Sequence, residues 1–334
     1  MNQRTVLKSW GCSLMLLLIP IIGAGVSVAA QAGDLPGPVV SVQWLHDHAK
    51  DVQIVDIRDD LDGLMDDPKY ITIKGKKVLQ LSGGHIPDAL SVNFWALREK
   101  HKVDGKTLDF QFPTAEEFQT VMRTSLLENG KPIVLVPTGD DAISLQEAAF
   151  LALELETFGV PANQVAILNG GTHAWLAAGY PVVVDAIVAM TSSKWKAGKE
   201  RHDLLATTAQ VKAAQKTHES ILDARPLSEF IGIARSPVVP KLGHIKGARA
   251  LPAEALYFRA EDGSWRYMNA EHYHAAIQAL HLGKVSPSIV YCNTGQYAAG
   301  AWYILNRIMG LHSVREYAGS IYTWEEKGLP VVGL

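Results

Sequence analysis

Cys292 is the side chain whose type and setting point most directly to chemistry. It stands in the run Ile289-Val290-Tyr291-Cys292-Asn293-Thr294-Gly295-Gln296-Tyr297-Ala298. The residues up to Tyr291 read as a buried strand, and a helix is predicted from near Ala298. A cysteine at the carboxyl end of a parallel strand sits where open α/β sheets place their ligands. The intervening loop is short and contains Gly295, so its backbone N–H groups can curl around one anionic atom. The following helix adds the positive end of its dipole. Both effects favour a thiolate, and the thiol is expected to titrate below about 8.5. The competing reading is a small apolar residue sealing a core strand. Polar Asn293 and Thr294 beside the sulfur argue against it.

The sequence has one other cysteine, Cys12. Arg4 and Lys8 are the only charged residues before Asp34, and an apolar stretch follows Lys8 and ends at Ala30-Gln31-Ala32. A basic start, an apolar middle and an A-x-A end make a secretory signal, with cleavage expected after Ala32. The stretch is also long enough for a retained anchor, although Pro20, Gly23 and Gly25 weaken such a helix. Cleavage removes Cys12 and leaves a protein without stable membrane insertion, periplasmic or secreted. Cys292 is then a lone thiol in an oxidising compartment, with no internal disulfide.

The elements that position this thiol are written twice. Asp56-Ile57-Arg58 and Asp223-Ala224-Arg225 each close a short apolar run. Gly84-His85-Ile86 and Gly243-His244-Ile245 come next. Thr114 and Asn269 then open helices as N-caps, the first within an S/T-x-x-E capping box with Glu117. Strands at 133–136 and 289–291 lead into apolar helices at 147–158 and 298–309. Trp175 with Pro181-Val182-Val183, and Trp324 with Pro330-Val331-Val332, end the two halves. Strands alternating with helices at this spacing predict βα units on a mainly parallel sheet covered on both faces. The predicted organisation is a signal at 1–32, domain one at 38–184, a polar linker at 185–203 and domain two at 204–334. The offset between matching residues shrinks along the chain, so domain one is expected to carry longer surface insertions.

The order of these features is similar to that of tandem rhodanese-domain sulfurtransferases, the thiosulfate and 3-mercaptopyruvate sulfurtransferase family. The resemblance covers the chain beyond the signal, and it implies two rhodanese-like α/β domains with the catalytic cysteine in the second. Domain one is then a degenerate copy that stabilises, orients or covers the site. Aligned by its Thr138-Gly139 pair, its loop places Val136 opposite Cys292. The resemblance further implies that Cys292 takes sulfur from a small anionic donor as a persulfide held by the loop 293–297: Asn293, Thr294, Gly295, Gln296 and Tyr297. A thiol, including a protein thiol, or cyanide is the acceptor. Arg225 matches the family's substrate-binding arginine and is expected to hold the donor's anionic group, with a salt bridge to Glu229 as the bland alternative. Thiosulfate-using members often carry basic residues directly after the cysteine, where this chain has Asn293 and Thr294. Mercaptopyruvate-using members typically carry small residues and a hydroxyl two residues after it; Thr294 supplies the hydroxyl, but Asn293, Gln296 and Tyr297 are bulkier. His85 and His244 read as structural histidines in loops.

Other classes fit less well. The chain has 334 residues, 31 Lys plus Arg against 34 Asp plus Glu, and a net charge of -3, so no basic footprint for nucleic acid is present. A phosphatase loop needs Arg six residues after the cysteine, and position 298 is Ala. Histidines are scattered rather than grouped at ligand spacing, so no metal is expected. Gly83-Gly84 and Gly170-Gly171 lack the partners of a phosphate-binding motif, so no cofactor is expected. A persulfide carrier or partner-binding module without turnover is the alternative to an enzyme.

Overall fold

The computed structural model describes residues 1, 35–187, 191–217 and 219–334. The expected signal segment beyond Met1, with Cys12, lies outside the described residues. Among the described residues no helix is long and apolar enough to cross a membrane.

Two parallel sheets carry the fold. The first has the order Val39–Val40, Val165–Leu168, Ile133–Val136, Gln53–Arg58, Leu90–Asn93, every pairing parallel. The second has the order Val314–Glu316, Ser288–Tyr291, Ser220–Asp223, Ala248–Ala250, again all parallel. The four-strand pattern is the same in both. The first sheet gains an edge strand, and a single parallel bridge from Leu205 to Glu316 takes that place in the second. The central strands Gln53–Arg58, Ile133–Val136, Val165–Leu168 and Ser288–Tyr291 are buried along their whole length, and Ser220–Asp223 is buried beyond its first residue, as parallel strands covered on two faces should be. The insertions in domain one are two antiparallel hairpins, Lys69–Ile73 with Lys76–Leu81 and Glu99–Val103 with Lys106–Gln111.

Several helices start at a side-chain cap. The Thr114 side chain accepts from the Glu117 N–H while Glu117 accepts from the Thr114 N–H, and Thr207 with Gln210 repeats this device. Asp141 caps the long helix Ala142–Thr157, which begins earlier than the predicted 147. The helix after Cys292 likewise begins at Gln296 rather than Ala298, and runs into a π-helical turn at Tyr303–Ile308.

One hydrophobic core spans both domains. It joins Val55, Ile57 and Leu135 of the first sheet to Leu222, Val290 and Val314 of the second, through helices Ala142–Thr157 and Gln296–Trp302. Ala142–Thr157 is therefore buried nearly all round, including polar Gln146, Glu147 and Glu154. Gly300 permits the close approach: a Cβ there would stand 2.2 Å from Tyr257 Oη and 2.9 Å from Gln146 Cγ. Each sheet turns its other face to a smaller core of its own. The described part of the predicted polar linker from Thr191 onward is pinned to domain one. Trp195 is buried against Phe118, and Arg123 donates to its carbonyl at 2.8 Å.

Candidate active site

The strand Ser288–Tyr291 ends and the chain turns at once, which puts Cys292 at the carboxyl edge of the second sheet. Gly295 makes the turn possible, with φ +108°; its N–H donates to Cys292 Sγ at 3.1 Å. The backbone amides of Thr294 and Ala298 also favour the thiolate. The cup is thus built from Thr294, Gly295 and Ala298, within and just beyond the predicted loop. Gly295 is buried, whereas Asn293, Thr294, Gln296 and Tyr297 are partly exposed around it.

Cys292 itself is 2% exposed, and burial pushes its thiol up despite these amides. The expectation of a thiol below about 8.5 is therefore corrected. Removing the sulfur from water disfavours the thiolate by more than three amide dipoles recover.

Ser320 was not foreseen. It is fully buried and opens the helix Ser320–Glu326 at φ +50°, a region non-glycine residues rarely occupy. Its hydroxyl accepts the Cys292 N–H at 3.0 Å, donates to the Tyr317 carbonyl at 2.9 Å and stands 4.0 Å from Sγ. The same helix start receives the loop carbonyls, with Ile321 N–H on Cys292 O and Tyr322 N–H on Asn293 O. A signal for Ser320 existed: Gly170-Gly171 in domain one matches Gly319-Ser320, and the second glycine has become a serine.

Arg98 was also unforeseen, because no spacing rule links residues 196 positions apart. It lies in domain one and donates through Nη2 to the carbonyl of Thr294, inside the reactive loop. Its guanidinium stacks over Phe150, 4.7 Å from the ring centroid, with Phe94 and Phe110 each at 5.7 Å. Domain one thus holds the loop of domain two directly.

Arg225 is placed differently from its expected role. It is 1% exposed; Nε donates to Asp223 at 3.0 Å, and Nη2 donates to Asp223 and to the Gly243 carbonyl, both at 2.7 Å. Nη1 faces Glu229 at 3.8 Å, and Glu229 accepts from Asn293 Nδ2 at 2.8 Å. Arg58 makes the same clamp on Asp56 and the Gly84 carbonyl, in the domain without a cysteine. A feature that both copies keep serves the fold. Arg225 offers no free fork to a donor anion and reaches the loop only through Glu229. The two loop histidines are tied to backbone: His85 Nδ1 lies 3.0 Å from Ile86 O and Nε2 2.9 Å from Asp185 O, while His244 Nδ1 lies 2.8 Å from Phe230 O.

The degenerate loop is one residue out from its predicted alignment. Asp56 pairs with Val136 as Asp223 pairs with Tyr291, so Pro137, not Val136, takes the place of Cys292. The carbonyls agree: Pro137 O accepts from Thr172 N–H as Cys292 O accepts from Ile321 N–H.

Fold and site together define a two-domain α/β protein of duplicated architecture with one amide-cradled thiol. The chain belongs to the rhodanese-like domain family, whose profile matches residues 41–178 and 207–327. It is a family of sulfurtransferases. Among its relatives, thiosulfate/3-mercaptopyruvate sulfurtransferase 2 of Arabidopsis thaliana is 29% identical over 89% of this chain and 86% of its own length. The putative thiosulfate sulfurtransferase SseA of Mycobacterium leprae is 29% identical over 75% of this chain and 80% of its own. The sulfur carrier protein TtuD of Thermus thermophilus is 24% identical over 89% and 96%. In fold, the chain is similar to SseA of Escherichia coli, a 3-mercaptopyruvate sulfotransferase structure (TM-score 0.65, 24% identity, 85% of this chain and 98% of that one).

Proposed function

We propose that the protein moves a sulfane sulfur from thiosulfate or 3-mercaptopyruvate to a thiol or cyanide, through a persulfide on Cys292. The observation that carries this reading is a single buried sulfur at the end of a parallel strand that accepts the Gly295 N–H at 3.1 Å, with the Thr294 and Ala298 amides also favouring its thiolate. Fixed donors of this kind stabilise negative charge without reorganising.

In the first half-reaction the Cys292 thiolate attacks the outer sulfur of the donor. An S–S bond forms at Sγ, the donor's bond to that sulfur breaks, and the electron pair leaves with sulfite, or with the pyruvate enolate, which then takes a proton. In the second, the acceptor attacks the terminal sulfur and Cys292 returns as thiolate. Two half-reactions through one covalent intermediate imply ping-pong kinetics. The proposed setting is the periplasm or the cell exterior, on the strength of the basic and apolar start of the sequence.

A second reading, a sulfur carrier that loads without turning over, draws on the near full-length match to TtuD and on the burial of Cys292. Mass spectrometry after incubation with each donor tests both. A gain of about 32 Da on the Cys292 peptide supports covalent catalysis; no gain with any donor ends it. Thiocyanate formed over many cycles favours the enzyme, and one sulfur per chain without turnover favours the carrier.

A further inference from the structure

The duplicated clamp leaves a question about charge. Arg225 and Arg58 each spend the guanidinium on a buried aspartate of their own domain. Arg98 is different. Two buried acids of other elements face it: Glu154, from the long helix of domain one, and Glu316, at the end of a strand of domain two. Neither carboxyl makes a hydrogen bond to any protein group, in contrast to Asp223 and Asp56, which are doubly bonded to their arginines. A carboxylate buried without a donor is strongly disfavoured, and burial holds both groups well above the usual carboxylate range. Burial thus favours the neutral form of both acids, whereas a guanidinium keeps its charge even where burial lowers its pKa. With both carboxyls buried and unbonded, the charge this region offers an incoming anion is that of Arg98. Arg98 Nη2 is fixed to the Thr294 carbonyl, two residues from Cys292, at the partly exposed rim of the loop.

We propose that Arg98 of domain one, seated on Phe94, Phe110 and Phe150 and fixed to the Thr294 carbonyl, is the residue that recognises the negative charge of the sulfur donor beside Cys292. This rests on the reading of Cys292 as the reactive thiol, and it assigns to the first domain the anion selectivity that Arg225 has no free donors to provide. Donors carrying a sulfonate or carboxylate next to the transferable sulfur fit the site, and neutral thiols fit as acceptors.

The test compares alkylation of Cys292 in the full chain by iodoacetate, an anion, and by iodoacetamide, its neutral counterpart. The ratio of the two rates cancels thiol ionisation and reports the charge met by the incoming reagent. In Arg98→Met and Arg98→Gln the ratio is expected to fall about tenfold, the effect of one charge at close range in a partly screened site. Arg98→Lys should keep most of the ratio. Glu316→Gln should leave it unchanged, because a buried, unbonded carboxyl favours its neutral form. If both rates fall together in the Arg98 variants with the ratio intact, Arg98 only props the loop and the proposal is overturned. A ratio in Glu316→Gln that rises about tenfold would show an ionised Glu316 and overturn Arg98 as the charge this region offers. Failure of iodoacetate to reach Cys292 in the unmodified protein would overturn it as well. The measurement needs no sulfur transfer, so a normal ratio response with no persulfide would remove the sulfur-transfer reading and leave the anion site standing.

Discussion

Pro137 stands in the first domain where Cys292 stands in the second, each directly after the strand residue paired with the aspartate of an Asp-x-Arg clamp. Proline has no backbone N–H. The residue opposite it, Gly171, has no side chain, and a Cβ there would lie 2.0 Å from the Pro137 carbonyl. Cys292 does have an N–H, and Ser320 at the place of Gly171 accepts it. The two changes go together: the reactive copy acquires a donor and an acceptor as a pair, and the silent copy lacks both.

Ser320→Ala leaves the buried Cys292 N–H without its acceptor. A loss of about 1–3 kcal/mol in stability is expected, with reduced thiocyanate formation. Ser320→Gly removes the same hydroxyl but relaxes the positive φ, so it should melt above Ser320→Ala while losing similar activity. Thermal melts beside a turnover assay separate the two effects, and full activity in both variants would remove the hydroxyl from the site.

Arg225→Ala strands Asp223 as an unpaired buried charge. The expected cost is about 3–5 kcal/mol, read as a lower urea midpoint, and Arg58→Ala should lose a comparable amount although its domain has no thiol. An unchanged midpoint with a raised KM for the donor would return Arg225 to anion binding.

Because burial pushes the Cys292 thiol up from its ordinary 9.0, only a small thiolate fraction exists near neutrality. Single-turnover sulfur loading from excess thiosulfate should rise about tenfold per pH unit through the neutral range, since the thiolate is the nucleophile. The rise should continue past pH 9. A plateau beginning below pH 7 would contradict the desolvated thiol.

Burial and the nearby Asp59 and Asp141 raise Glu147 from 4.5 to about 8. The folded protein therefore holds this proton more tightly than the unfolded chain. The stabilising contribution is complete below about 4.5 and is lost as pH rises through about 8. Glu147→Gln is expected to melt with the parent at pH 4.5 and above it at pH 9. Coincident melts at both would mean that Glu147 titrates as an exposed acid.

The duplicated order of Asp-x-Arg, Gly-His-Ile, capped helices and closing Trp–Pro pairs determined the parallel α/β fold and singled out Cys292, because these features depend on neighbours within a few residues. Alternation of apolar strands with helices is a local pattern, and so is a glycine-bearing loop after a strand. Three things were decided only in three dimensions. Register, not spacing, put Pro137 opposite Cys292. The shared core brought Arg98 of domain one onto the Thr294 carbonyl. Burial reversed the expected direction of the thiol's pKa. Desolvation and long-range charge depend on what surrounds a group from every side, and for Cys292 most of those surroundings come from segments remote in the chain.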